Sequence, residues 1–174
     1  GLRYTEETKR FTPDQVITKT SPVFVPVGVP VLPGIEAELK FEELTPMASA
    51  MFTLSPDLNV YASYSRGFKS GGFSQRVFPP LPVIPEFGPE TVEVFELGFK
   101  YTGFDNQLRL NGAVFQSDYE DIQVNVLLGV APITANAAEA TIRGFELELS
   151  AAPTENLAID AGIGYLDAEY TKIG

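Results

Sequence analysis

The sequence predicts an all-β chain, an antiparallel up-and-down transmembrane β-barrel wall. Three observations carry this. Apolar and polar residues alternate with a period of two through four long runs between Pro89 and Tyr170. The connections between strand-like runs alternate between short and long. The uncharged flank of the runs is coated in Leu, Ile, Val, Phe and Tyr, a flank suited to lipid, while the polar flank suits water or a plugged lumen.

The elements follow in order. A first strand runs through Leu2 and Tyr4 to Arg10. The segment from Phe11 to Leu44 holds Pro22, Pro26, Pro30 and Pro33, and proline removes ladder donors, so it reads as an extended loop. Thr45 to Leu54 makes the next strand, and Ser55-Pro56-Asp57 turns the chain, Pro presetting φ and Asp bonding its own backbone. Leu58 to Gly67 returns, with Leu58, Val60, Ala62 and Tyr64 on one flank. A second long connection covers Gly71 to Pro89.

In the next strand Phe95, Leu97, Phe99 and Tyr101 share a flank opposite Glu96, Gly98 and Lys100. Gly103-Phe104-Asp105-Asn106 turns the chain into a strand from Leu108 that extends through Val126, its upper section Gln116 to Asp121 standing above the membrane. After a loop from Leu128 to Glu139, Phe145, Leu147 and Leu149 alternate with Glu146 and Glu148. Pro153-Thr154-Glu155-Asn156 leads into the last strand, where Leu157, Ile159, Ala161, Ile163 and Tyr165 share a flank. Slipping any strand by one residue turns a charge such as Lys100 or Glu148 toward lipid. At mid-bilayer depth that costs about 2–4 kcal/mol for Lys or Arg, so register is strongly specified.

Composition narrows the function. The 23 acidic residues outnumber 12 basic ones, and a net charge of −11 argues against nucleic acid as a partner. Without Cys or His there is no disulfide framework, no common zinc or haem ligand set and no Ser-His-Asp triad, so an enzyme, a metal site and a cofactor are not expected. No run of about 18 apolar residues occurs, which excludes a helical span. No leader opens the chain, and both ends fall close to strands, so a fragment is expected.

The residues also carry a family likeness. Pro89-Glu90-Thr91 followed by Phe95-Glu96-Leu97-Gly98-Phe99-Lys100 resembles a signature of TonB-dependent outer-membrane receptors. Asn111, Ala113, Phe115, Tyr119, Asp121, Ile122 and Gln123 resemble that family's next strand. Asn136-Ala137, Ala140, Gly144-Phe145-Glu146, Gly164-Tyr165 and Asp167-Ala168 continue in the same order, and Tyr61 to Lys69 is similar to its preceding strand. The resemblance implies that residues 1–174 are a fragment of a barrel of 22 strands, about seven of them present and the plug domain absent. It implies a place in the bacterial outer membrane and a role in active uptake of a siderophore, vitamin or saccharide. The implied partners are outer-membrane lipid, the missing plug and remaining strands, the TonB energy complex through that plug, and a small-molecule ligand. A small passive porin-like barrel and a soluble β-sandwich binding module are the alternatives.

Arg66, Lys69 and Arg76, at a strand end and the start of a long loop, are candidates for contact with an anionic ligand, because Arg forks suit carboxylates. Ordinary loop solvation is the competing account. Glu96, Lys100, Arg109, Arg143, Glu146, Glu148 and Asp160 are expected on a solvated inner wall. Tyr64, Phe68, Phe95, Phe99, Tyr101 and Tyr165 suit aromatic girdles at the two membrane interfaces. Tyr61 and Phe115 break the pattern by falling on the polar flank.

Overall fold

The computed structural model describes residues 1–18, 26–75, 77, 80–128 and 131–173. The strands are β1 (Leu2–Phe11), β2 (Ala37–Ser55), β3 (Leu58–Lys69), β4 (Gly72–Phe73), β5 (Glu86–Phe87), β6 (Glu90–Gly103), β7 (Leu108–Leu128), β8 (Ala131–Thr154) and β9 (Leu157–Ile173). Seven of them form one antiparallel sheet in the order β1-β2-β3-β6-β7-β8-β9, and β4 pairs with β5 in a small ribbon of its own. Every strand of the large sheet therefore lies beside its chain neighbours, which is the up-and-down arrangement of a barrel wall.

Alternation decides the faces. Reading across the ladder, Ala62, Leu97, Val114, Phe145 and Tyr165 form one row, and Phe99, Gly112, Leu147 and Ile163 form another on the same flank. Leu97, Val114 and Ile163 are more than half exposed. Among the described residues the buried apolar side chains are Leu32, Val77 and Ala138, and two of these belong to the long connections. Among the described residues no second layer covers the apolar flank of the sheet. An apolar surface of that extent calls for a lipid neighbour rather than water.

Short turns close one end of the sheet; at the other, long connections join β1 to β2 and β3 to β6, while β7 pairs with β8 as far as Leu128 and Ala131. At the short end, Phe104, Asp105 and Asn106 all take positive φ (55°, 54° and 66°), a tight reversal for which Asp and Asn are suited, and the Gln107 N–H closes it on the Phe104 carbonyl at 2.9 Å. At the far end, the first long connection folds on itself: Val16 bridges Pro30, and the Val31 N–H donates to the Gln15 carbonyl at 2.8 Å.

Three expectations are revised. β2 begins at Ala37, not Thr45, so residues 37–44 are strand and not loop. Residues 131–139 are likewise strand, and β7 and β8 run on together as a ribbon beyond the start of β6. Arg143 does not join the inner-wall charges; it lies across from Gln116 and Asp167 on the flank of Phe145. Its Nε donates to Gln116 Oε1 at 3.0 Å, one row beyond the apolar zone, where a charge meets water or head groups.

Candidate functional site

The polar flank carries the charges that the alternation assigns to it. Lys100 lies between Asn59 and Asn111, Glu96 across from Ser63, Glu148 across from Asn111, and Asp160 accepts from Ser150 Oγ at 2.7 Å. Lys100 Nζ stands 5.8 Å from the centroid of the Tyr61 ring, a cation–π approach on the inner wall. Tyr61, Lys100, Asn111, Glu146 and Glu148 border a concavity of about 190 Å³ there. Among the described residues no group of three or more His, Cys, Asp or Glu is placed to hold a metal.

At the long-connection end the polarity of the sheet inverts. Glu38, Lys40 and Glu42 point to the exposed side of β2, while Leu39 and Phe41 are half-buried. The apolar side chains turn inward because the second connection, residues 70–89, folds over that side. The Phe11 and Phe73 rings stack with centroids 5.6 Å apart, Lys9 Nζ donates to the Gly71 carbonyl at 2.7 Å, and the Leu81 N–H donates to the Val31 carbonyl at 3.0 Å. Arg10 Nε donates to Glu38 Oε2 at 2.6 Å, and this bond holds the Glu38 carboxyl below the usual carboxylate range.

Two amides in the ribbon fasten this connection. Gln123 Nε2 donates to the carbonyls of Lys69 (3.3 Å), Ser70 (3.0 Å) and Gly88 (3.1 Å), and its backbone N–H donates to Glu90 Oε2 at 2.9 Å. Asn136, its ladder partner on β8, donates from Nδ2 to the carbonyls of Gly88 (3.0 Å) and Asp121 (2.7 Å) and accepts the Gly88 N–H at 2.6 Å. Buried Ser74 adds a third tie, accepting the Thr134 N–H at 2.9 Å and donating to its carbonyl at 3.2 Å. A bulge makes room for the pair: the register shifts between Tyr119 and Gln123, with Asp121 at φ 53°. Below it, Tyr119, Ile122, Ala140, Ile142, Ala168 and Tyr170 line a mostly apolar cavity of about 260 Å³.

Of the ligand-contact candidates, Lys69 and Arg66 stand at positions of opposite parity on β3. Lys69 ends β3 across from Glu90, its Nζ 3.8 Å from Glu90 Oε2 and mostly exposed. Arg66 lies across from Glu93, with Nη2 3.9 Å from Glu43 Oε2. Arg76 lies outside the described residues. Gln123 and Asn136 entered the sequence reading only through a family likeness. The available signal for a structural role was two amides on facing strands, close in the fold to a glycine that precedes Pro89.

The comparisons with known proteins agree with this architecture. The chain is 39% identical over 87 residues to the probable TonB-dependent siderophore receptor PiuA of Acinetobacter baumannii, a match covering 49% of this chain and 11% of that protein. The crystal structure of the siderophore receptor PiuA from that organism superposes with a TM-score of 0.61 at 27% identity, over 80% of this chain and 20% of that one. The ferric yersiniabactin uptake receptor FyuA from Yersinia pestis shares the fold, with a TM-score of 0.66 at 23% identity over 78% of this chain and 20% of that one. The chain thus spans a small part, about a fifth or less, of these relatives. The family model for TonB dependent receptor-like, beta-barrel matches residues 1–174 from end to end, and this chain belongs to that family of outer-membrane barrel walls.

Proposed function

We propose that the chain is an arc of the wall of an outer-membrane receptor that imports a scarce nutrient of the siderophore class, energised through TonB. The observation that carries the reading is an uncovered apolar flank along β2, β3 and β6–β9, opposite a polar flank that is charged on β6–β9, in a chain whose family is that of TonB-dependent barrels. The receptor relative PiuA supports siderophore as the cargo class. Residues 1–174 are the barrel portion, and the plug and remaining strands are supplied by the rest of a longer protein. Its partners are then outer-membrane lipid on the apolar flank, the plug on the polar flank, the TonB complex through the plug, and a small ligand at the mouth. No catalytic role is assigned to the chain.

Within the mouth, Arg66, Lys69 and Arg76 remain the proposed contacts for an anionic ligand, and the exposure of Lys69 supports its part in that. Neither alternative gains a supporting observation. A sandwich module needs a second sheet over Leu97, Val114 and Ile163, and among the described residues none lies there.

The test is import of radiolabelled iron by cells carrying the full-length receptor, supplied with catecholate, hydroxamate or mixed-ligand ferric siderophores. Import of at least one of them, lost when TonB is deleted, is the expected result. Passive entry that persists without TonB would favour the porin-like alternative. Charge reversal by Lys69→Glu is expected to weaken capture of an anionic ferric siderophore while leaving receptor levels unchanged.

A further inference from the structure

Among the described residues no strand pairs with β7 beyond Glu120, because β6 starts at Glu90 and the chain before it turns off as the second connection. An open edge of that kind leaves backbone groups seeking partners. Here the side-chain amides of Gln123 and Asn136 meet the turning backbone instead. Asn136 both donates to and accepts from Gly88, so one side chain reproduces the paired bonds of a β-ladder. Gln123 gathers the carbonyls at both ends of the connection, Lys69 and Ser70 on the way out and Gly88 on the way back.

We propose that Gln123 and Asn136 are positioning residues that fasten segment 70–89 to the β7–β8 ribbon as a fixed wall of the barrel mouth. Lids open about hinges at their ends, where a few residues absorb the backbone rotation. Among the described residues of this segment the ends are heavily bonded. Gly71 is packed so closely that a Cβ would collide with the Phe87 carbonyl oxygen and stand 2.9 Å from the Phe41 ring. Ser74 is held on Thr134, and Val77 is buried. Lys9 and Val31 secure it from the β1 side. The shape of this side of the mouth is therefore set by the barrel, and movement that admits a ligand belongs to other parts of the receptor.

The choice of amides is itself informative. A carboxylate at position 123 would face three carbonyl oxygens without a proton to offer. Gln123→Glu is thus expected to loosen the segment at least as much as Gln123→Ala, whereas a residue that merely filled space would tolerate the near-isosteric change.

The experiment uses the full-length receptor on intact cells and a membrane-impermeant maleimide. The chain contains no cysteine, so once any cysteine in the rest of the receptor is replaced by serine, single cysteines report cleanly. Val77→Cys probes a buried position, and Val83→Cys, 64% exposed in the same segment, is the reference. Labelling at 77 is expected to run at least about a hundredfold slower than at 83, and Gln123→Ala with Asn136→Ala to speed it by about tenfold or more, with no change at 83. Asn136→Asp, which keeps the acceptor and loses the donor, is expected to fall between. Equal labelling at 77 and 83 with the native amides in place overturns the proposal, as does protection that survives the double substitution. The readout needs no ligand, so a receptor that imports no siderophore would sink the transport reading and leave these rates as they are.

Discussion

The ring of Tyr61 lies across Gly98, its ladder partner on β6, so that a methyl group built at Gly98 would stand 2.6 Å from the ring. The relationship recurs. Phe99 covers Gly112, and Phe115 covers Gly144. An aromatic ring laid over a cross-strand glycine shields bare backbone and pins the register. This accounts for the two aromatics, Tyr61 and Phe115, that depart from the alternation of the polar flank.

The glycines are expected to differ in their tolerance of a side chain. At Gly98 the obstacle is the outer part of the Tyr61 ring, which swings aside. At Gly144 a Cβ would meet the Tyr165 carbonyl oxygen at 2.5 Å as well as the Phe115 ring at 2.6 Å, and backbone does not yield. Gly144→Ala should therefore destabilise the barrel by about 1–3 kcal/mol, and Gly98→Ala by less. Urea unfolding of the full-length receptor in lipid vesicles measures both. Equal costs would contradict the account.

Neighbouring residues of β8 should respond oppositely to the same charge. Leu147 belongs to the apolar row with Gly112 and Ile163, while Glu148 faces Asn111 and Gly162 on the polar flank. Leu147→Arg is expected to cost about 2–4 kcal/mol in vesicles, and Glu148→Arg far less. If the two were equally harmful, lipid would not be what the Leu147 flank meets.

Much of this was legible in the sequence. The period-two pattern located β1, β3, β6, β7 and β9 because lipid on one side and water on the other enforce strict alternation. The pattern misled where that solvent contrast ends. Residues 37–42 alternate just as well, but their charges face outward and their apolar side chains inward against the second connection. Nothing local distinguishes such a strand from a polar loop. Residues 131–139 are mostly small, and only pairing with β7 reveals them as strand. The mouth was least legible. Arg66 and Lys69 drew attention as charges, yet each stands near a carboxylate, whereas the organising groups are the uncharged amides Gln123 and Asn136.

Acid should loosen the outer tip of β1 and β2. The Arg10 hydrogen bond lowers the folded-state pKa of Glu38 relative to the unfolded chain. Its stabilising contribution is complete above the unfolded value, near 4 for a free glutamate, and is lost as pH falls through the lower folded value. Hydrogen exchange at the tip should quicken over that acid range beyond its intrinsic pH dependence, and Glu38→Gln should abolish this extra dependence. Unchanged behaviour in Glu38→Gln would refute it.

The 174-residue chain on its own should aggregate in water. β1 and β9 each have a single neighbour in the sheet, so two ladder edges are open beside an apolar flank. Sedimentation without detergent should show large species. A sharp monomer boundary would contradict both the edge and the flank arguments.

The unbroken ladders of β3 with β6, and of β6 with β7 from Leu108 to Glu120, set terms for how such a gene diverges. Losing or gaining one codon inside them exchanges the two faces of everything up to the next turn, whereas a change of two codons restores them. Length variation should then accumulate in the outward segments and be purged from the wall, so that related genes differ in what they present to their surroundings while keeping the same cylinder.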